Sequence, residues 1–141
     1  MGLILFDTCI LIDAGHGLAE ALGELAYYPS ADWAISSITW IEMIVGAQAG
    51  EEEETVRFLQ TFQILELDQA IAAEAAAIRR HSVRSTPKIA LADAIILATA
   101  KVHGLTVITR NTRDFKGKNV RIPYELRPST TFSVVNIAPP P

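Results

Sequence analysis

Four acidic residues stand where the surrounding pattern calls for apolar side chains: Asp7, Glu42, Asp93 and Asp114. Asp7 follows the run Leu3-Ile4-Leu5-Phe6, which reads as a strand buried on both faces. It therefore stands at a strand C-terminus, the place where open parallel sheets bind ligands. A helix N-cap is the plainer use of an aspartate there. Glu42 lies inside Trp40-Ile41-Glu42-Met43-Ile44-Val45. Its helical neighbours Ile38, Thr39, Val45 and Gly46 include no base. A buried, unpaired carboxylate is costly. An inward Glu42 must be protonated, paired at long range or bound to a cation; the alternative is a place at the edge of an exposed face. Asp93 has Ile89, Ala90, Ile96 and Leu97 on its helical face, where it would either serve a site or favour the helix dipole. Asp114, in Thr109-Arg110-Asn111-Thr112-Arg113-Asp114-Phe115, follows another strand, and alone it is an ordinary loop aspartate.

In combination the four carry more. Two acids at strand ends and two on apolar helices can converge on one end of a parallel sheet. Several carboxylates cannot stay ionised together without cations. An all-oxygen site suits Mg²⁺ or Mn²⁺, and such a site does phosphoryl-transfer chemistry with a metal-activated water.

The elements that must position these acids alternate. Strands are expected at 3–6, 33–36, 64–67 and 106–109, with a fifth at 119–122. A helical stretch broken at Gly15 and Gly17 runs to about Tyr28. Ser36 or Ser37 caps a helix over 38–49, and Glu51 to Glu54 open another. Asp68 caps an alanine-rich helix to about Val83, and Pro87 opens a last long helix that Gly104 ends. Strands alternating with helices mean an α/β fold with a mainly parallel sheet. The domain is expected to span 1–127, with 128–141 a proline-rich, extended tail.

The chain has 141 residues, enough for one domain with its own core. Its single cysteine, Cys9, excludes a disulfide framework and a cysteine-rich zinc site. The amino-terminal apolar run has no basic flank and is interrupted by acids, so it is not read as a signal peptide. No apolar run approaches the ~18 residues of a membrane span, and a cytoplasmic protein is expected. Net charge is −4, which taken alone argues against a nucleic-acid partner. It hides an asymmetry: residues 1–74 hold one basic residue and 13 acids, and residues 75–141 hold 11 basic residues and three acids. Such a division hints at nucleic-acid or membrane contact. Arg84 and Lys88 before the Asp93 helix, and Arg110 and Arg113 beside Asp114, are candidate phosphate contacts.

Four segments, in order, resemble the PIN-domain superfamily and within it the VapC-type toxin ribonucleases. They are Asp7-Thr8 after its strand, Ser-Ser-Ile-Thr-Trp-Ile-Glu42 with Gly46, Ala-Asp93-Ala-Ile-Ile-Leu-Ala-Thr-Ala, and His-Gly-Leu-Thr-Val-Ile-Thr-Arg-Asn-Thr-Arg-Asp114-Phe. The resemblance covers about residues 3–122. It implies a three-layer α/β/α sandwich and an endoribonuclease dependent on Mg²⁺ or Mn²⁺; in-line attack by a metal-activated water would leave 5′-phosphate and 3′-hydroxyl ends. It makes Asp7, Glu42, Asp93 and Asp114 the catalytic and metal-binding site, with Thr8 and Asn111 in support. It also implies a homodimer and a cognate antitoxin protein whose C-terminal segment covers the groove. Cys9 departs from the Asn or Ser common after Asp-Thr.

Two other readings stand beside it. One is a PIN-like RNA-binding module without catalysis. The other is a receiver-like Mg-binding signalling domain, which would want a phosphoacceptor Asp at the third strand, where Glu66 is the only acid.

Overall fold

The computed structural model describes residues 2–84, 88–128 and 133–141. β1 (Ile4–Phe6) leads into α1 (Thr8–Gly15) and α2 (Ala19–Tyr27); β2 (Trp33–Ser36) leads into α3 (Ser37–Gly46) and α4 (Glu52–Leu59). β3 (Gln63–Leu65), α5 (Gln69–Ser82), α6 (Leu91–His103), β4 (Thr106–Ile108) and β5 (Val120–Arg121) complete a five-stranded sheet in the order β3-β2-β1-β4-β5. Every neighbouring pair in it is parallel. β6 (Glu125–Arg127) and β7 (Ser133–Val135) form a separate antiparallel pair.

Side chains alternate across a strand, and the core divides accordingly. Phe6, Ile35 and Ile108 face one layer with Ile10 and Leu11 of α1, Leu25 of α2 and Leu59 of α4. Leu5, Ala34 and Val107 face the other with Ile96 and Ala100 of α6. Ile71 and Ala75 of α5 pack outside α6 on Ile95 and Ala98. The expected three-layer α/β/α sandwich with a parallel sheet is what forms.

The caps explain where the helices start. Asp68 accepts from the Ile71 amide at 2.9 Å and Ser36 from the Ile38 amide at 3.2 Å. Gly104 closes α6 at φ +65°, a conformation other residues rarely adopt. Other boundaries shift. The third strand sits at 63–65 instead of 64–67, and α3 stops at Gly46 instead of 49. The last helix starts at Leu91 after an extended Ala90; Pro87, expected to open it, lies outside the described residues. Asp93 is thereby in the first turn of α6.

The expected loose tail is also revised. β7 pairs with β6, so the anticipated boundary at 127/128 falls inside a hairpin. Beyond it, the Ala138 amide donates to the Pro123 carbonyl at 2.7 Å, and Arg121 Nη2 donates to the Ala138 carbonyl at 2.6 Å. That same guanidinium pairs with Glu24 of α2, buried at 1 % exposure.

Candidate active site

β1 lies between β2 and β4, so chains leave it in opposite directions along the sheet. A crevice opens at such a switch point beyond the strand C-termini. Phe6 pairs in register with Ile108, and the Asp7 amide donates to the Ile108 carbonyl at 2.9 Å. The next residue on each chain is then Asp7 beside Thr109. The Thr109 hydroxyl donates to Asp7 Oδ2 at 2.6 Å. Asp7 Oδ1 accepts from the Thr8 amide at 2.7 Å, capping α1. Asp7 therefore caps α1 and also faces the crevice.

Glu42 projects from α3 toward the same crevice, where the Thr8 hydroxyl donates to its Oε1 at 2.7 Å and sits 3.0 Å from the Thr39 hydroxyl. Asp93 and Asp114 meet through Asn111, whose Nδ2 donates to Asp114 Oδ2 at 3.1 Å and makes a long 3.5 Å contact to Asp93 Oδ2. Asn111 Oδ1 accepts the Asp114 amide at 3.1 Å, so one side chain closes the loop and spaces the carboxylates. Asp7, Glu42, Asp93 and Asn111 line a cavity of about 400 Å³.

Electrostatics follow from this crowding. Burial raises the Asp7 carboxyl; the bonds from Thr109, Cys9 and Thr8 oppose it, and the Glu42 charge adds to it. Asp93 is pushed up to about 6, first by burial and then by the charges of Asp7, Asp114 and Glu42, with Arg113 opposing. Asp93 therefore feels the other three acids, and Asp7 feels Glu42. Among the described residues no three His, Cys, Asp or Glu side chains close into a ready-made metal cage. Hydroxyl and amide donors instead hold the carboxylates around the cavity. An oxygen-only set with excess negative charge is the donor chemistry a hard divalent cation takes, so these residues fit Mg²⁺ or Mn²⁺.

A family model for the PIN domain matches residues 4–119, a span that includes all four acids. The chain belongs to the PIN-domain family. It is 32 % identical over 114 residues to Ribonuclease VapC10 of Mycobacterium tuberculosis, covering 80 % of this chain and 86 % of that protein. It is 31 % identical over 117 residues to the tRNA(fMet)-specific endonuclease VapC of Shigella flexneri, covering 79 % and 89 %. A toxin–antitoxin complex from Klebsiella pneumoniae superimposes with a TM-score of 0.75 and 46 % identity, over 86 % of this chain and 98 % of that one.

Within the PIN fold the remaining candidate residues take the following places. Of the two places open to Glu42, it takes the exposed one. On α3 only Thr39 is fully buried, and Ile41 and Val45 stand 50 % and 79 % exposed. The helix is more apolar than its neighbours can cover, so its composition overstated its burial. Arg110 is not a free surface charge: its Nε and Nη2 reach Asp13 at 2.6 and 3.2 Å. Arg113 is exposed and contacts Asp114 at 3.3 and 3.4 Å. Arg84 lines a different hollow of about 770 Å³ with Arg80 and His81 at the end of α5; it has no carboxylate in its lining. Lys88 is exposed ahead of α6.

Sequence reasoning missed Thr109, the donor to Asp7, and Thr39 beside Thr8. A hydroxyl directly after a β-branched strand was the available signal for Thr109. Cys9 Sγ lies 3.3 Å from Asp7 Oδ2. Burial and the Asp7 charge push its thiol up to about 12, so it stays protonated at neutral pH and is no nucleophile.

Proposed function

We propose that this chain is a metal-dependent endoribonuclease and the toxin of a toxin–antitoxin pair. The observation that carries the reading is the convergence of Asp7, Glu42 and Asp93 on one crevice at the sheet's switch point, with Asp114 joined to it through Asn111 and no guanidinium committed to the first three. Relatives named as a ribonuclease and a tRNA-specific endonuclease support RNA as the substrate. The solved toxin–antitoxin complex supports a cognate antitoxin protein as the partner.

The four carboxylates would hold Mg²⁺ or Mn²⁺. When bound, the cation supplies a nucleophilic water and charge neutralisation for hydrolysis of an RNA phosphodiester. Thr109 and Thr8 fix the rotamers of Asp7 and Glu42, and Asn111 keeps Asp93 and Asp114 apart. Arg113 at the rim and the more distant Arg84 and Lys88 attract the RNA backbone. Ile41 and Val45, one helical turn apart on α3, support a homodimer by offering an uncovered apolar face. No described helix is long and apolar enough to cross a membrane, and the cytoplasm is the compartment where this activity meets its RNA.

The test is cleavage of bulk tRNA, with 5′-end mapping, by wild type and Asp7→Asn in Mn²⁺, Mg²⁺ or chelator. Wild type is expected to make discrete cuts only with the cation, and Asp7→Asn to make none. Cuts that survive both the substitution and the chelator refute the metal mechanism.

A further inference from the structure

Asp13, on α1, is 5 % exposed and contributes nothing to the carboxylate cavity. Both its oxygens are nevertheless occupied. Arg110 binds it side-on through Nε and Nη2, and the Tyr124 hydroxyl donates to Oδ2 at 2.6 Å. Tyr124 is fully buried, so Asp13 is the partner its hydroxyl proton has. The backbone of Arg110 belongs to the segment after β4 that also carries Thr109 and Asn111. Asp13 therefore ties that segment to α1.

The guanidinium has more to give. It carries five N–H donors, and the side-on pair uses two. The other three have no partner among the described residues. The side chain is 31 % exposed and lines the same cavity as Asp7, Glu42 and Asp93. A guanidinium freed in this cavity would pair with those carboxylates, in the cation's place. We propose that Asp13, backed by Tyr124, is a positioning residue: it holds Arg110 off the site carboxylates and leaves the free N–H groups of Arg110 available to a phosphate of the bound RNA. The inference rests on the ribonuclease reading above.

The experiment is a double-mutant cycle with Asp13→Asn, Arg110→Ala and the pair together. Binding of fluorescein-labelled tRNA is measured by anisotropy in EDTA across a salt series, and tRNA cleavage across a Mn²⁺ series. Arg110→Ala is expected to weaken binding about tenfold or more and to flatten the log–log salt slope by about 0.7–0.9. Asp13→Asn keeps the positive charge but loses its placement, so it weakens binding and raises the Mn²⁺ concentration for half-maximal cleavage. In the Arg110→Ala background, Asp13→Asn adds nothing to either loss. Arg110→Ala strands the buried Asp13 charge and Asp13→Asn leaves Arg110 without its partner, while the double variant removes both charges, so melting curves of all three separate folding from binding. An equal loss from Asp13→Asn in both backgrounds overturns the proposal, as does wild-type binding by Arg110→Ala. Wild type that binds but does not cut overturns the nuclease reading alone, because the cation-free cycle still judges Asp13.

Discussion

The carboxylate cluster works against the fold in the absence of a cation, and Asp93 is where this can be measured. Its carboxyl is held at about 6 against an ordinary 3.8 by burial and by Asp7, Asp114 and Glu42. In the folded chain it therefore binds a proton that the unfolded chain has already released between about pH 4 and pH 6. Stability must fall as pH rises through that window and then level off, as far as this group decides it. At pH 8 the full difference would cost at most about 3 kcal/mol at 1.36 kcal/mol per pH unit. Asp93 is only half shielded from water, which screens the effect. Its place in the first turn of α6 also favours the ionised form. These reduce the cost to about 1–2 kcal/mol. Asp93→Asn keeps the shape and still offers Asn111 an acceptor. In EDTA at pH 8 it is expected to melt roughly 3–6 °C above wild type, with the gap closing toward pH 4. Thermal or urea denaturation of both proteins across pH 4–8 checks it. A variant less stable than wild type at pH 8, or a gap that does not change with pH, refutes the reasoning.

Three further outcomes follow from the geometry. Thr109→Val removes the 2.6 Å donor to Asp7 and should cost about 10–100-fold in cleavage or in cation affinity, read by tRNA cleavage against Mn²⁺ concentration. Arg121→Met leaves Glu24 buried without its partner and frees the Ala138 carbonyl. It should cost about 3–5 kcal/mol in urea denaturation, much of it recovered in Glu24→Gln/Arg121→Met. Val45→Asp places a charge on the uncovered α3 face and should shift sedimentation toward monomer while leaving the melting temperature close to that of wild type.

Features set by local contrast could be read from the chain. An acid ending a four-residue apolar run marks Asp7, and an acid in an apolar helix marks Glu42 and Asp93. Alternation of strand and helix marks the sandwich. What could not be read depends on pairing between distant segments. Thr109 meets Asp7 across 102 positions only because β1 and β4 are in register. Asp13 and Glu24 each meet an arginine 97 positions away. Periodicity also cannot tell a covered face from an uncovered one, which is why both places stay open for Glu42 in the sequence. The proline-rich tail hid β7 because its hairpin depends on a partner strand and not on its own composition.

The buried and crowded acids of this chain divide by the donor each receives. Asp13 and Glu24 each receive a guanidinium through two N–H groups. Their charge is cancelled, so neither competes for a cation. Asp7, Glu42 and Asp93 receive hydroxyl, thiol or amide donors. Neutral donors orient a carboxylate without cancelling its charge, so its attraction for a cation remains. Asp114 stands between the two classes, since Arg113 touches it at 3.3 Å from a side chain that is 63 % exposed. An exposed pair of that kind is worth at most about 1 kcal/mol, so RNA phosphate or a cation can exchange for it. By this criterion, a neutral donor marks a carboxylate left free for a cation, and a side-on guanidinium marks one whose charge is already answered. Sequence spacing alone could not separate Asp7 from Asp13, six residues further along the same segment.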